Sequence, residues 1–371
     1  MVKKYVLEIG DEIVDVDDIT TLVHKNNMVC DIVTAYKNKI TYYYRQKTWD
    51  KYKKYTNEYE NIFSTPNTGV NISAYNPLSR AFFKLWEILC DFPEIFLSQT
   101  MKCVFLCESP GSFIQATMKY RYDRGFLHDE YHGISLNSNN DKNIPEWKLN
   151  GFVNRVTIHY GKDGTGNLYA LDNILDLVET IGRNTQDFCT GDGGFDFSSD
   201  FNAQELLSLR LIVCEVLTAL LLQKEGGSFV LKIYDTFNES TIKILQILKQ
   251  FYAKIYVIKP LTSRPANSEK YLLCTGFRVS DTNIYEKKIT FLKILVRNYE
   301  SVDLNKVFRR IEYNTSFYHH MLTYSMYYSI KQIYYIQITI DYINNSQKKL
   351  VNCENDEKSK KWCVKYHIAM H

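Results

Sequence analysis

The sequence predicts an α/β fold: a Rossmann-like, mostly parallel sheet with an antiparallel edge strand, helices on both faces, and extensions at both ends of the chain. Three observations carry this. Between about residues 100 and 260, short apolar runs alternate with amphipathic stretches, the pattern of parallel strands joined by helices. Turn residues cluster after those apolar runs, where doubly wound sheets bind ligands. The last apolar run, Tyr271 to Phe277, follows a connection too short for a helix, which predicts an antiparallel hairpin at the sheet edge.

In chain order, residues 1 to 75 mix short apolar runs with charge and close in a polar loop, Ser64 to Gly69, that reads as a boundary. Phe82, Leu85, Trp86 and Leu89 share one face of a helix expected over Ser79 to Leu89. Strands are expected at Cys103–Leu106, Gly133–Leu136, Arg155–His159, Asp187–Thr190, Ser228–Ile233, Ile255–Ile258 and Tyr271–Phe277. Helices are expected from about Ser112, over Leu171–Ile181, over Gln204–Lys224 ending at Gly226-Gly227, and over Thr241–Tyr252. Residues 286 to 371 read as mainly helical and tyrosine-rich, with a lysine-bearing tail (Lys358, Lys360, Lys361, Lys365) expected to do no more than solubilise the end. Three units result: 1–75, 76–285 and 286–371.

Composition narrows the classes. The 371 residues are 45% hydrophobic and 23% charged, which suits a folded domain with a sizeable core. Net charge is only +3, so a nucleic-acid partner must be sought in local patches. Nine cysteines are scattered singly with no CxxC pair, which argues against zinc and disulfides and for a reducing, cytoplasmic setting. No leader is expected at the start. The longest apolar run, Leu211 to Leu222, holds Glu215 and is shorter than the roughly 20 residues a membrane span needs. Lys, Asn, Ile and Tyr are abundant, a bias that AT-rich genomes produce.

Two loops are candidates for a ligand. The first is Cys107-Glu108-Ser109-Pro110-Gly111-Ser112-Phe113, after the first core strand. Gly111 allows close backbone approach, and the following helix offers N–H groups to a carboxylate. It is not GxGxxG, which weakens a dehydrogenase reading; a plain Pro-Gly turn is equally compatible. The second, Tyr160 to Leu168, has three glycines in six residues and reads either as backbone against a ligand or as a surface loop.

Four polar residues fall at comparable strand ends. Lys232 interrupts an apolar strand, where an ammonium loses solvation unless it has work to do. Asp192 follows a strand between glycines, Glu269 precedes the last strand, and Lys84 projects off the apolar face of its helix. Two lysines and two carboxylates suit proton removal from a weak nucleophile such as a ribose hydroxyl. Lys232 would be the base, its pKa pulled down by Lys84 and partial burial; Asp192 would orient it and help place a methyl donor; Glu269 would hold Lys84 or the ribose. Such chemistry needs no metal.

The order Lys84, Asp192, Lys232, Glu269 resembles the Lys-Asp-Lys-Glu tetrad of FtsJ-like RNA 2′-O-methyltransferases. Within that family, Ser79 to Glu87, Cys107 to Phe113, Gly164-Thr165-Gly166-Asn167, Thr190 to Gly194, and Lys259-Pro260-Leu261-Thr262-Ser263-Arg264-Pro265-Ala266-Asn267-Ser268-Glu269 are similar to the cap-specific mRNA branch of eukaryotes and large cytoplasmic DNA viruses. The resemblance covers roughly residues 76 to 280. It implies S-adenosyl-L-methionine as cofactor, held by Ser109, Pro110, Gly111, Ser112, Phe113, Asn167, Leu168 and Asp192, with Lys232 as proton acceptor. It also implies capped mRNA as substrate, with the first transcribed nucleotide as the favoured target and the second left open, and other capping enzymes as partners. Ser112 and Asn167 depart from the family's usual glycine and aspartate, which bears on donor affinity and leaves the tetrad intact.

RNA contacts are sought in two places. Arg264 and Ser263 adjoin Glu269. Residues 36 to 55 alternate basic and aromatic side chains, which reads either as an RNA or cap surface or as an amphipathic helix with a solvated basic face. Two other functions stay open: methylation of ribosomal or transfer RNA, and a non-catalytic methyltransferase-like subunit that binds RNA or a capping complex.

Overall fold

The computed structural model describes residues 6–9, 16–63, 71–139, 141–149, 155–198, 200–309, 311–345 and 352–371. The polar boundary loop, 64–69, lies outside them. Among the described residues one sheet contains β1 (Val6–Glu8), β2 (Lys102–Leu106), β3 (Glu130–Ile134), β4 (Val156–His159), β5 (Gln186–Gly191), β6 (Gln223–Ile233), β7 (Tyr252–Ile258) and β8 (Lys270–Phe277). Their order is β1-β7-β8-β6-β5-β2-β3-β4. Strands β2 to β6 pair in parallel, while β8 runs antiparallel to both β6 and β7. The β7–β8 hairpin lies at the expected margin, but its later strand, β8, is the inner one. The antiparallel edge strand is β1, which pairs with β7 from the opposite end of the chain. Chain direction through the sheet reverses between β2 and β5, so the crevice beyond their carboxyl ends is the natural ligand site.

Two-residue alternation sorts the strands onto two faces. Val104, Leu106, Phe229 and Leu231 join one core with helices α5 (Leu171–Ile181), α6 (Gln204–Leu222), α7 (Glu239–Lys249) and α8 (Thr282–Asn298). Cys103, Phe105, Val230 and Leu273 join the other, with α3 (Ala81–Asp91), α4 (Ser112–Tyr122) and α11 (Asn352–Lys365). Lys232, two residues beyond Val230, therefore falls on the α3 face. Helix α6 is apolar almost all round because it is packed between the sheet and α8.

Several boundaries differ from the sequence reading, among them the start of β7 at Tyr252, inside the stretch expected to be helical. Helix α6 stops at Leu222 and the chain enters β6 directly, before Gly226-Gly227, because the buried Gln223 ties the junction. Its Nε2 donates to Gln186 O at 2.8 Å and its Oε1 accepts from Tyr252 OH at 3.0 Å. Strand β3 starts three residues earlier than expected, paired with β2 from Glu130. The lysine-bearing tail is no loose end: it forms α11, which buries Trp362, Cys363 and Tyr366 against α3. Tyr366 O accepts from Trp86 Nε1 at 2.9 Å.

Both extensions pack on the sheet. Helix α1 (Val16–Arg45) lies along α10 (Thr315–Asn345), and Tyr328 of α10 donates to Val257 O at 3.1 Å. The 36–55 stretch spans the end of α1 and the short α2 (Trp49–Tyr52), and much of it is core. Lys37, Ile40, Trp49 and Tyr52 are buried, and Lys37 is ion-paired with Asp235. Its charge serves packing as much as solvation. The short α9 (Leu304–Arg309) completes the α7–α8 side. No described helix is long and apolar enough to cross a membrane. Trp362→Ala should cost about 3–5 kcal/mol, the usual range for emptying a buried tryptophan site. Urea denaturation checks it, and a loss below about 1 kcal/mol would show that α11 is not part of the fold's core.

Candidate active site

The β5–β6 register sets the first pair. Thr190 lies beside Val230 and Gly191 beside Leu231, so Asp192 arrives next to Lys232. Lys232 Nζ donates to Asp192 O at 2.6 Å and sits 3.2 Å from Asp192 Oδ1. Tyr271, opposite Lys232 on β8, donates from its hydroxyl to the same Oδ1 at 3.0 Å. The glycines around Asp192 are there for space. A Cβ on Gly193 would come within 2.4 Å of Leu211 and 2.8 Å of the Glu215 carboxylate.

Helix α3 supplies the second pair. Its apolar face buries Phe82, Leu85, Trp86 and Leu89 and leaves Lys84 directed at the loop between β7 and β8. Lys84 Nζ lies 2.7 Å from Glu269 Oε1 and 2.9 Å from Oε2. Ser263 Oγ donates to Glu269 Oε1 at 3.0 Å, and Lys259 Nζ donates to the Glu269 carbonyl at 2.7 Å. The loop is pinned to α3 by Glu87, whose carboxylate accepts from the Leu261 and Thr262 N–H groups at 2.8 Å each and from Trp362 Nε1 at 3.0 Å. All four predicted polar residues thus converge at the carboxyl edge.

The charges are balanced tightly. Burial opposes ionisation of Glu269, but Lys84, Lys232 and Lys259 outweigh it and hold the carboxyl down at about 2. Burial works against the Lys232 ammonium too, yet Asp192, Tyr234 and Glu269 outweigh it and raise the pKa above the ordinary lysine value. That is opposite to the lowering expected from Lys84. The reason is geometric: each ammonium has its own carboxylate, so Lys84 is neutralised by Glu269 before it can act on Lys232.

The predicted donor loop lies where β2 ends. Ser109 Oγ is buried with no hydrogen-bond partner among the described residues. Gly111 has φ +108°, a left-handed conformation suited to glycine. Ser112 and Phe113 are buried: Ser112 Oγ meets Ser79 Oγ at 2.7 Å, and the Phe113 ring lies 5.9 Å from that of Tyr271. The N–H groups of α4 are not all open to a ligand. Glu108 Oε1 accepts from Phe113 N at 2.6 Å, its acid raised well above the ordinary value by burial and by Asp192. In the second loop, Leu168 is core and Asn167 Oδ1 accepts from Tyr169 N at 2.9 Å. Gly166 is pressed onto the chain after β3, where a Cβ would stand 1.9 Å from Ser135 O. The loop is ordered from within by Asp163 and the buried Asn173. Arg264 is engaged with the buried Glu60 at 2.7 Å, so it braces the N-terminal segment against the loop.

Sequence reasoning missed Glu215, Glu108, Tyr271 and Lys259. Glu215 had a signal, a carboxylate inside an apolar run; burial pushes it up to about 8, and its Oε1 accepts from Gly193 N at 3.1 Å. Among the described residues no cluster of three metal-ligating side chains occurs.

A parallel sheet with an inserted antiparallel strand, carrying paired lysines and carboxylates at its carboxyl edge, defines a methyltransferase-like site. Residues 77–277 match the FtsJ-like methyltransferase family, and the chain belongs to it. It is 31% identical over 242 residues to the mouse cap-specific mRNA (nucleoside-2′-O-)-methyltransferase 2, covering 62% of this chain and 31% of that protein. It is 36% identical over 176 residues to the cap-specific mRNA (nucleoside-2′-O-)-methyltransferase 1 of Leishmania braziliensis, covering 46% of this chain and 43% of the relative. The chain therefore spans less than half of the length of these relatives. Among solved structures, a putative ribosomal RNA methyltransferase from Plasmodium falciparum aligns with a TM-score of 0.40 and 23% identity, over 54% of this chain and 97% of that one.

Glu269 yields a stability prediction. Its folded pKa, about 2, lies below the ordinary 4.5, so its contribution is fully present above the ordinary value and is lost as pH falls toward 2. Glu269→Gln should be less stable than wild type at neutral pH, and the difference should shrink between about pH 5 and 3. Melting curves across that range check it; a difference that grows on acidification would reverse the assignment.

Proposed function

We propose that this protein transfers a methyl group from S-adenosylmethionine to a ribose 2′-hydroxyl of RNA, at the first transcribed nucleotide of capped mRNA. The observation that carries the reading is the Lys84–Glu269 pair set beside the Lys232–Asp192 pair at the carboxyl edge of the sheet. The family match and the cap-directed relatives support the substrate.

The residues present fit the donor. The buried Ser109 hydroxyl, without a hydrogen-bond partner among the described residues, leaves polar capacity where its amino-acid end belongs, beside the left-handed turn at Gly111. Ser109 to Phe113, Asn167, Leu168 and Asp192 would hold it, Ser112 through its backbone N–H; the Phe113 N–H is committed to Glu108. S-adenosylmethionine supplies there an electrophilic methyl group. The chain's own work is positioning and proton removal. Lys232, as the neutral amine, takes the proton of the ribose hydroxyl. Asp192 fixes Lys232 through both its carbonyl and its carboxylate, and Tyr271 fixes Asp192. Glu269, held by Ser263 and Lys259, keeps Lys84 in place beside the ribose. Arg264 acts by holding the loop. A cap methyltransferase acts on what cap-building enzymes make, so those enzymes are proposed partners. A cytoplasmic, reducing setting belongs to the same proposal and is supported by the free thiols of the eight described cysteines.

Labelled S-adenosylmethionine with short capped RNA tests the whole reading. Wild type should label the RNA, a 2′-deoxy sugar at the first nucleotide should abolish labelling, and Lys232→Ala should lose about 10²–10⁴ in rate. Equal labelling of uncapped transcripts would move the substrate to other RNAs, and donor binding without labelling of any RNA would favour a non-catalytic subunit.

The raised Lys232 pKa adds a pH prediction. The neutral amine is scarce at neutral pH and increases tenfold per pH unit below its pKa. Log kcat should therefore climb with a slope near one from pH 6 to 9, without a plateau. A flat profile over that range would remove Lys232 as the base.

A further inference from the structure

Tyr234 is a buried phenol at the site that neither donor binding nor proton removal has used so far. It follows the end of β6, two residues beyond Lys232, and is 6% exposed. Its ring meets that of the buried Phe197 edge to face, with centroids 5.1 Å apart, and Phe197 meets Phe195 in the same way at 5.9 Å. The charges that act on its hydroxyl are those of the site itself: Lys232, Glu269, Asp192 and Glu215. Yet the hydroxyl makes no hydrogen bond with any described residue. A buried tyrosine hydroxyl normally has a partner, and one without it calls for an explanation. Gly194 shows where the hydroxyl lies. A Cβ there would stand 3.0 Å from Lys232 Nζ and 3.1 Å from Tyr234 Oη. The amine and the phenol therefore border the same small space. Gly194 has no left-handed backbone that would require glycine, so its role is to keep that space clear.

An oxygen that gives its proton to Lys232 has to come within hydrogen-bond distance of Nζ, and so into the neighbourhood of the phenol. We propose that the Tyr234 hydroxyl donates a hydrogen bond to the ribose 2′-oxygen while Lys232 takes the proton of that oxygen. The inference rests on the methyl-transfer reading above and adds a residue to it. The four directions around the 2′-oxygen are then assigned. One is its bond to the ribose carbon, and the O–H points at Lys232. One lone pair accepts from Tyr234, and the other faces the methyl group of the donor. In the step, the O–H bond breaks and the proton goes to the Lys232 nitrogen. The oxygen forms its new bond to the methyl carbon, and the bond from that carbon to sulfur breaks with its electrons left on sulfur. The phenol keeps its own proton. Burial, working against the Lys232 charge, raises Tyr234 to about 12, so it remains a donor at neutral pH. Its ring is held by Phe197, so the bond needs no rearrangement as charge grows on the oxygen.

Tyr234→Phe tests it, because the ring and its seat on Phe197 are kept and one oxygen is lost. With capped RNA, kcat/KM should fall about 10- to 100-fold, the range for a hydrogen bond to an oxygen that is gaining charge. The melting temperature and the Kd for S-adenosylmethionine should stay at wild-type values. So should the Kd for capped RNA with a 2′-deoxy first sugar, which offers Tyr234 no oxygen. A residue that only shaped the fold or touched another part of the strand would weaken that Kd as well. The pH profile should keep its slope near one, since Lys232 remains the base. Activity within twofold of wild type, or an equal loss in binding the 2′-deoxy strand, would overturn the proposal and leave the methyltransferase reading intact. A wild type that labels no RNA would overturn both.

Discussion

Glu269 is a buried carboxylate among three ammonium groups, and most of the site is arranged around that charge balance. Lys84 reaches it from α3, Lys232 from β6, and Lys259 from the end of β7. Removing one partner of such a group leaves an uncompensated buried charge, far costlier than losing a surface ion pair. The constraint therefore ties together three elements that are remote in sequence. It also explains the bracing nearby: Glu87 clamps the loop to α3, and Ser263 fixes the carboxylate from within that loop.

The second pair obeys a simpler rule. Parallel pairing of β5 with β6 brings Asp192 to Lys232, and strand alternation turns Lys232 toward α3. Once these strands are in register the two polar pairs lie on the same face. A one-residue slip would turn Lys232 into the core that contains Leu231 and Phe229. The apolar neighbours of Lys232 thus specify its position as firmly as Asp192 does.

Much of this was legible in the sequence. Lysine in an apolar strand, aspartate between glycines and glutamate before a strand are each costly or unusual locally, so they stand out and point to the site. The sheet was legible for the same reason, because parallel strands buried on both faces read as unbroken apolar runs. Contacts made across long separations left no such mark. Lys37 looked like part of a basic surface, and only its pairing with Asp235, 198 positions away, shows why it is buried. Arg264 looked available to RNA, but Glu60 engages it across 204 positions. The charge state of Lys232 was likewise out of reach, because it depends on which carboxylate each lysine meets. The inner placement of β8 depends on sheet pairing that a hairpin signal alone does not encode.

Glu87 has a further consequence for how the protein is made. The same carboxylate receives the active-site loop and the indole of Trp362, which belongs to α11. On a ribosome, α3 and the loop emerge well before α11 does. Until the later helix arrives, Glu87 is covered on one side only, and the α3 surface that will receive Trp362 and Tyr366 is bare. A nascent chain can therefore pair its strands before the loop held by Glu87 has gained its tie to Trp362.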